Sequence, residues 1–358
     1  MNATDDAALI EECARRSLAP LHENLGPHGF RAARPSDRAV ARGYDRVFGR
    51  DGALCAIAAA RSGDRTLIRG ARRTLAALAA HQAANGQIPK FVEPEAQRGD
   101  FWYLGCIDAA LWWLIAIKLV DQSGGGRLER RLQARIRRAL AWLGCQEHPL
   151  IHLLQQNETS DWADIMPRSG FVLYTNALWL YVKKLYRLPG SHLPDCRRLG
   201  LLIHYARRRS RIPEQFLSYV DLSFWGEEGD VLGNLLALLL GMADGERRQQ
   251  VLDAVAARPT AHAGLSVLKP IQPDSREWRP YMERHRQNLP HRYHNGGLWP
   301  MVGGFWVLAR LARANAAGNW RFTEWFDGAS GTAEGMAGQS WNAALFLLVC
   351  AGLDHEIF

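Results

Sequence analysis

The sequence predicts an all-α fold, an (α/α)6 toroid, and three observations lead there. Amphipathic helix periodicity recurs twelve times along 358 residues, while β-like alternation is scarce. The helices also fall into two classes. Some are apolar almost all round, as in Ala109–Val120 and Val231–Leu240, and must be buried on more than one side. Others carry arginines along one wet face, as in 127–146. Two classes in alternation suggest two concentric layers, six helices inside and six outside. No sharp internal repeat is visible, and a superhelical repeat array is the structural alternative. No Pro/Ser-rich linker interrupts the pattern, so residues 1–358 are expected to form a single domain.

In chain order, helices are expected first over 5–18, 50–62 and 67–83. Tyr44–Asp51 opens the second of these. Arg50 and Asp51 beside Phe48 suit a sugar, whose ring stacks on the aromatic while the charged pair takes adjacent hydroxyls. Asp51 as a plain helix cap is the structural alternative. Asn85–Lys90 reads as a turn delivering polar groups into a cleft. Helices follow over 104–121 and 127–146. Asp108 stands in an otherwise apolar helical start, where a lone buried acid needs a partner or a ligand. The Trp112–Trp113 pair reads as core rather than cleft.

The next loop, 155–171, places Glu158, Asp161 and Asp164 beside Trp162, Met166 and Pro167. Carboxylates in such an apolar setting are costly, because desolvation raises their pKa. A carboxyl kept protonated beside an aromatic wall is what a general acid for glycosidic cleavage requires. A helix cap followed by a solvated loop is the alternative. Helices are then expected over 172–187, 193–209, 229–242 and 246–256, with Asp230 a structural cap and Asn234 one turn later. In His294–Pro300 a His, an Asn amide and two glycines precede an apolar helix, and the glycines permit close approach of backbone to a ligand. That run is too glycine-poor for a phosphate loop and lacks its lysine. The last helices are expected over 298–316, 317–327 and 338–352. Glu324, amid Phe322, Trp325 and Phe326, is either a general base acting on water or a surface residue at a helix end.

Bulk properties exclude several classes. The net charge of +8 is carried by arginine, with only five lysines among 44 basic residues, and it is scattered. Runs at Arg127–Arg138 and Arg207–Arg211 read as wet helix faces, so no nucleic-acid partner is expected. Six cysteines, at 13, 55, 106, 145, 196 and 350, have no CxxC spacing and read as reduced, buried thiols. The N-terminal stretch is polar and acidic, unlike a signal peptide, and no apolar run reaches membrane-spanning length. A cytoplasmic protein with no membrane partner is expected. Homo-oligomerisation is left open. Acid- and tryptophan-rich loops at inner-helix starts would converge on one funnel of a toroid, and that pattern points to a small carbohydrate substrate.

Phe48–Asp51, Ile107–Trp113, Leu173–Trp179, Asp230–Asn234, Tyr293–Pro300 and Phe322–Asp327 together resemble the alkaline/neutral invertases, glycoside hydrolase family 100. They also resemble bacterial amylo-α-1,6-glucosidase and glycogen-debranching-like proteins. The likeness runs in order from about residue 43 to 352. It implies an (α/α)6 barrel and an inverting glycosidase that uses two carboxylates and neither a metal nor an organic cofactor. Asp164 matches the family's acid, and Asp164–Arg168 also looks like the Asp-x-x-Pro-Arg run of family 63 α-glycosidases. A one-residue gap in the match leaves Asp161 as a competitor. Glu324 matches the base. Asp51, Asp108, His294 and Asn295 would line the subsite for the cleaved sugar, and Arg50, Asp161, Trp162, Arg168 and Trp299 join them as substrate-binding candidates. Sucrose or a similar small α-glucoside is the implied substrate. A debranching-type α-1,6-glucosidase, a sugar phosphorylase, an epimerase and a non-catalytic carbohydrate-binding toroid are the alternatives.

Overall fold

The computed structural model describes residues 3–101, 106–122, 126–189, 214–222, 224–242, 245–257, 264–304 and 308–352. Among these residues the fold is dominated by thirteen α-helices. Helix α1 spans Ala3–Asn24, α2 Asp37–Arg42, α3 Gly49–Arg61, α4 Arg65–Ala80, α5 Ile107–Gln122, α6 Arg127–Gly144 and α7 Leu173–Tyr186. Then come α8 Val231–Leu239, α9 Gly245–Ala256, α10 Pro280–Glu283, α11 Pro300–Gly304, α12 Leu308–Ala317 and α13 Ser340–Gly352.

The two expected helix classes are real. α3, α5, α7 and α8 are buried along nearly their whole length. They pack in succession, α13 on α3, α3 on α5, α5 on α7 and α7 on α8. α4 and α6 are one-sided and lie outside that arc, α9 packs on α8, and α1 covers α12 and α13. The apolar stripe of α4 (Leu67, Ala71, Leu75, Leu78) recurs every three to four residues and faces the core, and Asp64 caps its start by accepting from the Thr66 and Leu67 amides. Trp112 and Trp113 are core, as expected. Each is fully buried and donates its indole N–H, to the Tyr174 hydroxyl and to the Leu75 carbonyl respectively.

Three departures from the sequence reading matter. No helix forms over 317–327. Gly318 follows α12, and Asn319, Trp320 and Phe322 take positive φ, which an α-helix of L-residues does not accommodate. The expected helix 193–209 lies outside the described residues. The 298–316 stretch contains α11 and α12, with 305–307 between them outside the description.

The third departure is a set of short antiparallel ribbons. The two-stranded β1–β2 pairs Leu25–Gly26 with Gly29–Phe30. β3 (Val47–Phe48), β4 (Phe91–Glu93) and β5 (Arg98–Asp100) form one sheet, and β6 (Phe171–Val172), β7 (Tyr219–Asp221) and β8 (Phe224–Trp225) another. The last runs β12-β11-β10-β9, from Ala333–Glu334, Trp325–Phe326, Leu298–Trp299 and Gly264–Leu265. Strands this short show no alternation, so the sequence hides them. Their placement is the point: β3, β6 and β10 lead directly into α3, α7 and α11, and so fix where those helices begin. No helix of the described residues is long and apolar enough to cross a membrane.

Candidate active site

A cavity of about 190 Å³ opens at the ends of these ribbons, and six separate segments wall it. The register explains the convergence. Phe48 pairs with Phe91, which sets Arg50 and Asp51 in the first turn of α3 beside Lys90. The expected turn does deliver a polar group here: Asn85 accepts from the Gln87 amide, and Lys90 ends in the cavity wall. Leu298 pairs with Phe326, which brings Trp299 and His294 to the same space as Glu324. Trp162 and Asp164 enter from the 155–171 loop, and Gln339 and Trp341 from the start of α13.

Asp164 and Glu324 therefore share one cavity, in opposite electrostatic settings. The Asp164 side chain is 22% exposed and sits 3.1 Å from Lys90 Nζ and 3.2 Å from His294 Nε2. Desolvation would raise its pKa, but Lys90, His294 and Arg50 outweigh it and hold the carboxyl well below the usual carboxylate range. The expectation of an acid kept protonated by apolar surroundings thus fails at Asp164, because the lysine arrives from a loop 74 residues away. Glu324 is in the opposite state. It is buried, and desolvation pushes its pKa to about 7, although the Tyr44 hydroxyl donates to Oε1 (2.7 Å) and the Met336 amide to Oε2 (2.8 Å). Gly335 makes room for this carboxyl: it has φ +73°, and a Cβ there would collide with Glu324 Oε2. Glu324 is neither at a helix end nor on the surface.

His294 stacks on Trp299 with ring centroids 4.8 Å apart and planes within 3°, while Trp162 stands edge-on to both. Burial pushes the His294 pKa down to about 4, so the ring is neutral near pH 7. Its Nε2 lies 3.2 Å from Asp164 Oδ1, close enough to favour the ionised carboxyl. Arg50 is clamped between Asp108, which accepts from Nη1 at 2.9 Å, and the face of Trp341, 5.4 Å from its guanidinium. Asp51 is buried, its Oδ1 3.4 Å from Arg50 Nε but without a hydrogen bond among the described residues, and desolvation raises its pKa. It is not the cap of α3, whose N-cap is Phe48. Trp162 Nε1, Trp341 Nε1, Gln339 Nε2 and His294 Nδ1 likewise lack partners. Buried polar groups are normally hydrogen-bonded. A wall with this many unpaired donors and acceptors can take a polar ligand.

Several candidates fall outside the cavity wall. Asp161 accepts from the Ala163 amide and from Gln156, and so folds its own loop. Arg168 is fully buried, 3.1 Å from Glu228 and 3.2 Å from Asp230, in an ion cluster behind the site. Asp230 occupies the N-cap position of α8 but caps nothing with its side chain. Its pKa is raised to about 6 by desolvation, which Arg168 only partly offsets. Asn295 bonds the Ile271 amide and carbonyl, stitching two loops. Asp108 supports Arg50 from beneath, with the Tyr174 hydroxyl as a second donor. Pro270, His291 and Tyr293 fill the space around Gly296 and Gly297, so those glycines serve the turn and not a ligand. Glu158 pairs with Arg279 and Tyr281. Of the cysteines described, Cys13, Cys55 and Cys106 are buried free thiols as expected, while Cys145 is exposed and Cys350 half-buried. Cys196 and Arg207–Arg211 lie outside the described residues.

The sequence reading missed Tyr44, Phe91, Tyr293, Gln339 and Trp341 as wall residues, and it named Lys90 only as part of a turn. Tyr44 and Lys90 act across 280 and 74 residues of chain, and no local pattern announces such contacts.

Comparison with known proteins points to glycoside hydrolases. Residues 219–354 match the family model described as alkaline and neutral invertase. Probable alkaline/neutral invertase F of Arabidopsis thaliana is 28% identical over 144 residues, 34% of this chain and 28% of that protein. Cytosolic invertase 1 of Oryza sativa subsp. japonica is 33% identical over 79 residues, 22% of this chain and 14% of that protein. These matches span under a third of the relatives' own lengths. Over nearly the whole chain, the fold is similar to that of a GH63 mannosylglycerate hydrolase from Thermus thermophilus, solved with Tris and D-glycerate. The TM-score is 0.66 at 16% identity, covering 94% of this chain and 99% of that one. The structure of a single-site variant of another glycosidase gives 0.60 at 14% identity, with 99% of each chain covered. The resemblance to invertases read from the sequence is thus shown in the C-terminal part of the chain. By family model and by fold, the chain is similar to glycoside hydrolases.

Proposed function

We propose that this chain, kin to the alkaline and neutral invertases, is a single-domain (α/α)6 glycoside hydrolase that cleaves an α-glucosidic bond with inversion. The single observation that carries the reading is the 190 Å³ cavity, where two carboxyls in opposite charge settings face unpaired indole, amide and imidazole groups. That volume is below the roughly 300–1,000 Å³ typical of drug-sized sites, as suits one sugar ring. Stacked aromatic faces and buried polar groups bind such a ring. The first substrate to try is sucrose or a similar small α-glucoside. A cytoplasmic setting suits the buried free thiols.

In the mechanism implied by the likeness, Asp164 protonates the leaving oxygen and Glu324 activates water on the opposite face, with carboxyls roughly 6.5–9.5 Å apart. Tyr44 and the Met336 amide orient Glu324, and Lys90 and His294 orient Asp164. The charges of the site favour a second reading. There the proton rests on Glu324, so Glu324 is the acid and Asp164 the base. A substrate whose leaving group needs no proton separates the two. With α-glucosyl fluoride, Asp164→Asn keeps turnover and Glu324→Gln loses it if Asp164 is the acid, and the opposite result reverses the roles. Proton NMR of sucrose cleavage tests the hydrolysis itself: early β-glucose establishes inversion. Early α-glucose removes inversion from the proposal. Cleavage of other glucosides alone moves the substrate, and cleavage only with phosphate present makes the protein a phosphorylase.

A further inference from the structure

A second cavity, of about 350 Å³, lies between the end of α6 and the 155–160 stretch, and among the described residues it shares no wall residue with the sugar cavity. Its wall carries the carboxamides of Gln146, Gln155, Gln156 and Asn157, with the Trp142 indole and Cys145 beside them. That wall is close to neutral. Its carboxylate, Glu147, is already engaged, by Lys183 Nζ and Trp179 Nε1 on one oxygen and by His152 on the other. His148 Nδ1 accepts from the Leu150 and Ile151 amides and so serves its own turn. The wall is also held in place: the Gln155 amide donates to the Gln146 carbonyl (3.0 Å), and the His148 amide to the Leu153 carbonyl (2.9 Å).

Gln156 ties this cavity to the reaction. Its amide donates to the Gly170 carbonyl (3.0 Å) and accepts in return, its carbonyl taking the Gly170 amide (2.9 Å), so the 156–170 loop is pinched at its neck. Its buried side chain donates to Asp161 Oδ2 (3.1 Å) and accepts from the Thr175 hydroxyl. Trp162 and Asp164, in the wall of the sugar cavity, stand within that loop. One residue is thus both the wall of the second cavity and the neck of the catalytic loop.

We infer that this cavity is a second, non-catalytic site for a neutral carbohydrate of disaccharide size, and that a sugar bound there braces the loop carrying Asp164. A carboxamide offers donors and an acceptor together, which matches a hydroxyl, and an indole supplies apolar area for a ring face. A charged ligand finds no free countercharge among the described wall residues. The volume is nearly twice the 190 Å³ of the sugar cavity. The site stands on its own wall, whereas the brace rests on the glycosidase reading above.

Cys145 supplies a reporter that needs no turnover, since its thiol is exposed and lies in the cavity wall. Alkylation of Cys145 by iodoacetamide, read by peptide mass spectrometry on the Glu324→Gln protein, is followed with maltose, sucrose and glycerol. At about ten times its Kd a bound disaccharide leaves roughly one site in eleven open, so labelling slows about tenfold. Gln155→Ala combined with Asn157→Ala should restore the rate. Both residues are exposed, so their truncation leaves the core intact. No protection by either disaccharide, equal protection by glycerol, or protection that survives the double variant overturns the site. In the active protein, competition at the sugar cavity raises KM and leaves kcat alone. A maltose-dependent rise in kcat for a chromogenic α-glucoside, about threefold or more and lost in the double variant, supports the brace. An unchanged kcat with Cys145 protected overturns it. Protection in a protein that cleaves no glucoside keeps the site and removes the hydrolase reading.

Discussion

Replacing Glu324 by Gln should stabilise the protein at alkaline pH while destroying its activity. Glu324 is buried, and its pKa rises from an ordinary 4.5 to about 7 on folding, chiefly through desolvation. The folded state therefore holds the proton more tightly than the unfolded chain. Stability contributed by this group is fully present below pH 4.5 and is lost as pH climbs through 7. The rise in pKa corresponds to roughly 3 kcal/mol at pH 9. Gln escapes this cost because it never ionises. It also preserves the local bonds: its carbonyl accepts from the Met336 amide, and its NH2 donates to the Tyr44 hydroxyl. For a chain of 358 residues, with about 2.1 cal/mol/K of unfolding entropy per residue, 3 kcal/mol is about 4 °C in Tm. Calorimetry of both proteins from pH 4 to 9 should show a Tm difference near zero at the acid end that opens in favour of Glu324→Gln through pH 5–8. A flat difference, or a less stable variant at pH 9, would refute the buried, proton-retaining carboxyl.

The remaining expectations use the same site. If Glu324 is the base, kcat/KM rises with pH through about 7, and Tyr44→Phe, which removes a bond that lowers the Glu324 pKa, moves that rise to higher pH. If Glu324 is the acid, the same limb falls with pH. Lys90→Met removes the cation that holds Asp164 ionised, so the Asp164 titration seen by carboxyl NMR should move upward toward the ordinary range. Asp161→Asn should cost on the order of 1–3 kcal/mol of stability by urea unfolding, since its oxygens serve the Ala163 amide and Gln156, while the folded fraction keeps its kcat within a few fold. Gly335→Ala should cut kcat by more than tenfold with a smaller loss of Tm, because its Cβ drives Glu324 off the Tyr44 and Met336 donors.

Helices were legible where burial imposes a period. The expected 127–146 and 246–256 appear as Arg127–Gly144 and Gly245–Ala256, since their stripes depend only on local spacing. Helix 317–327 failed because left-handed residues after Gly318 override an apolar pattern. Within the site, Arg50, Asp51, Trp162, Asp164, His294, Trp299 and Glu324 were legible as polar or aromatic residues in loops at helix starts. Arg168, Asp161 and Asn295 look the same in sequence, yet their partners, Glu228, Gln156 and Ile271, turn them inward. The charge state of Asp164 was illegible for a related reason. Its loop is apolar, and the lysine that decides its ionisation belongs to another loop.

The hydrogen bond from Tyr44 to Glu324 spans 280 residues of chain, and α1 docks on α13 with Asn24 bonded to Gly338 and Ser340. Contacts of such sequence separation carry the largest loop-closure entropy in the molecule and form late in folding. The carboxyl that must work at the centre is thus oriented by the seam between the N-terminal and C-terminal parts of the chain. Its proton affinity becomes a gauge of closure, and a partly folded chain with every helix formed but the seam open would have no working Glu324.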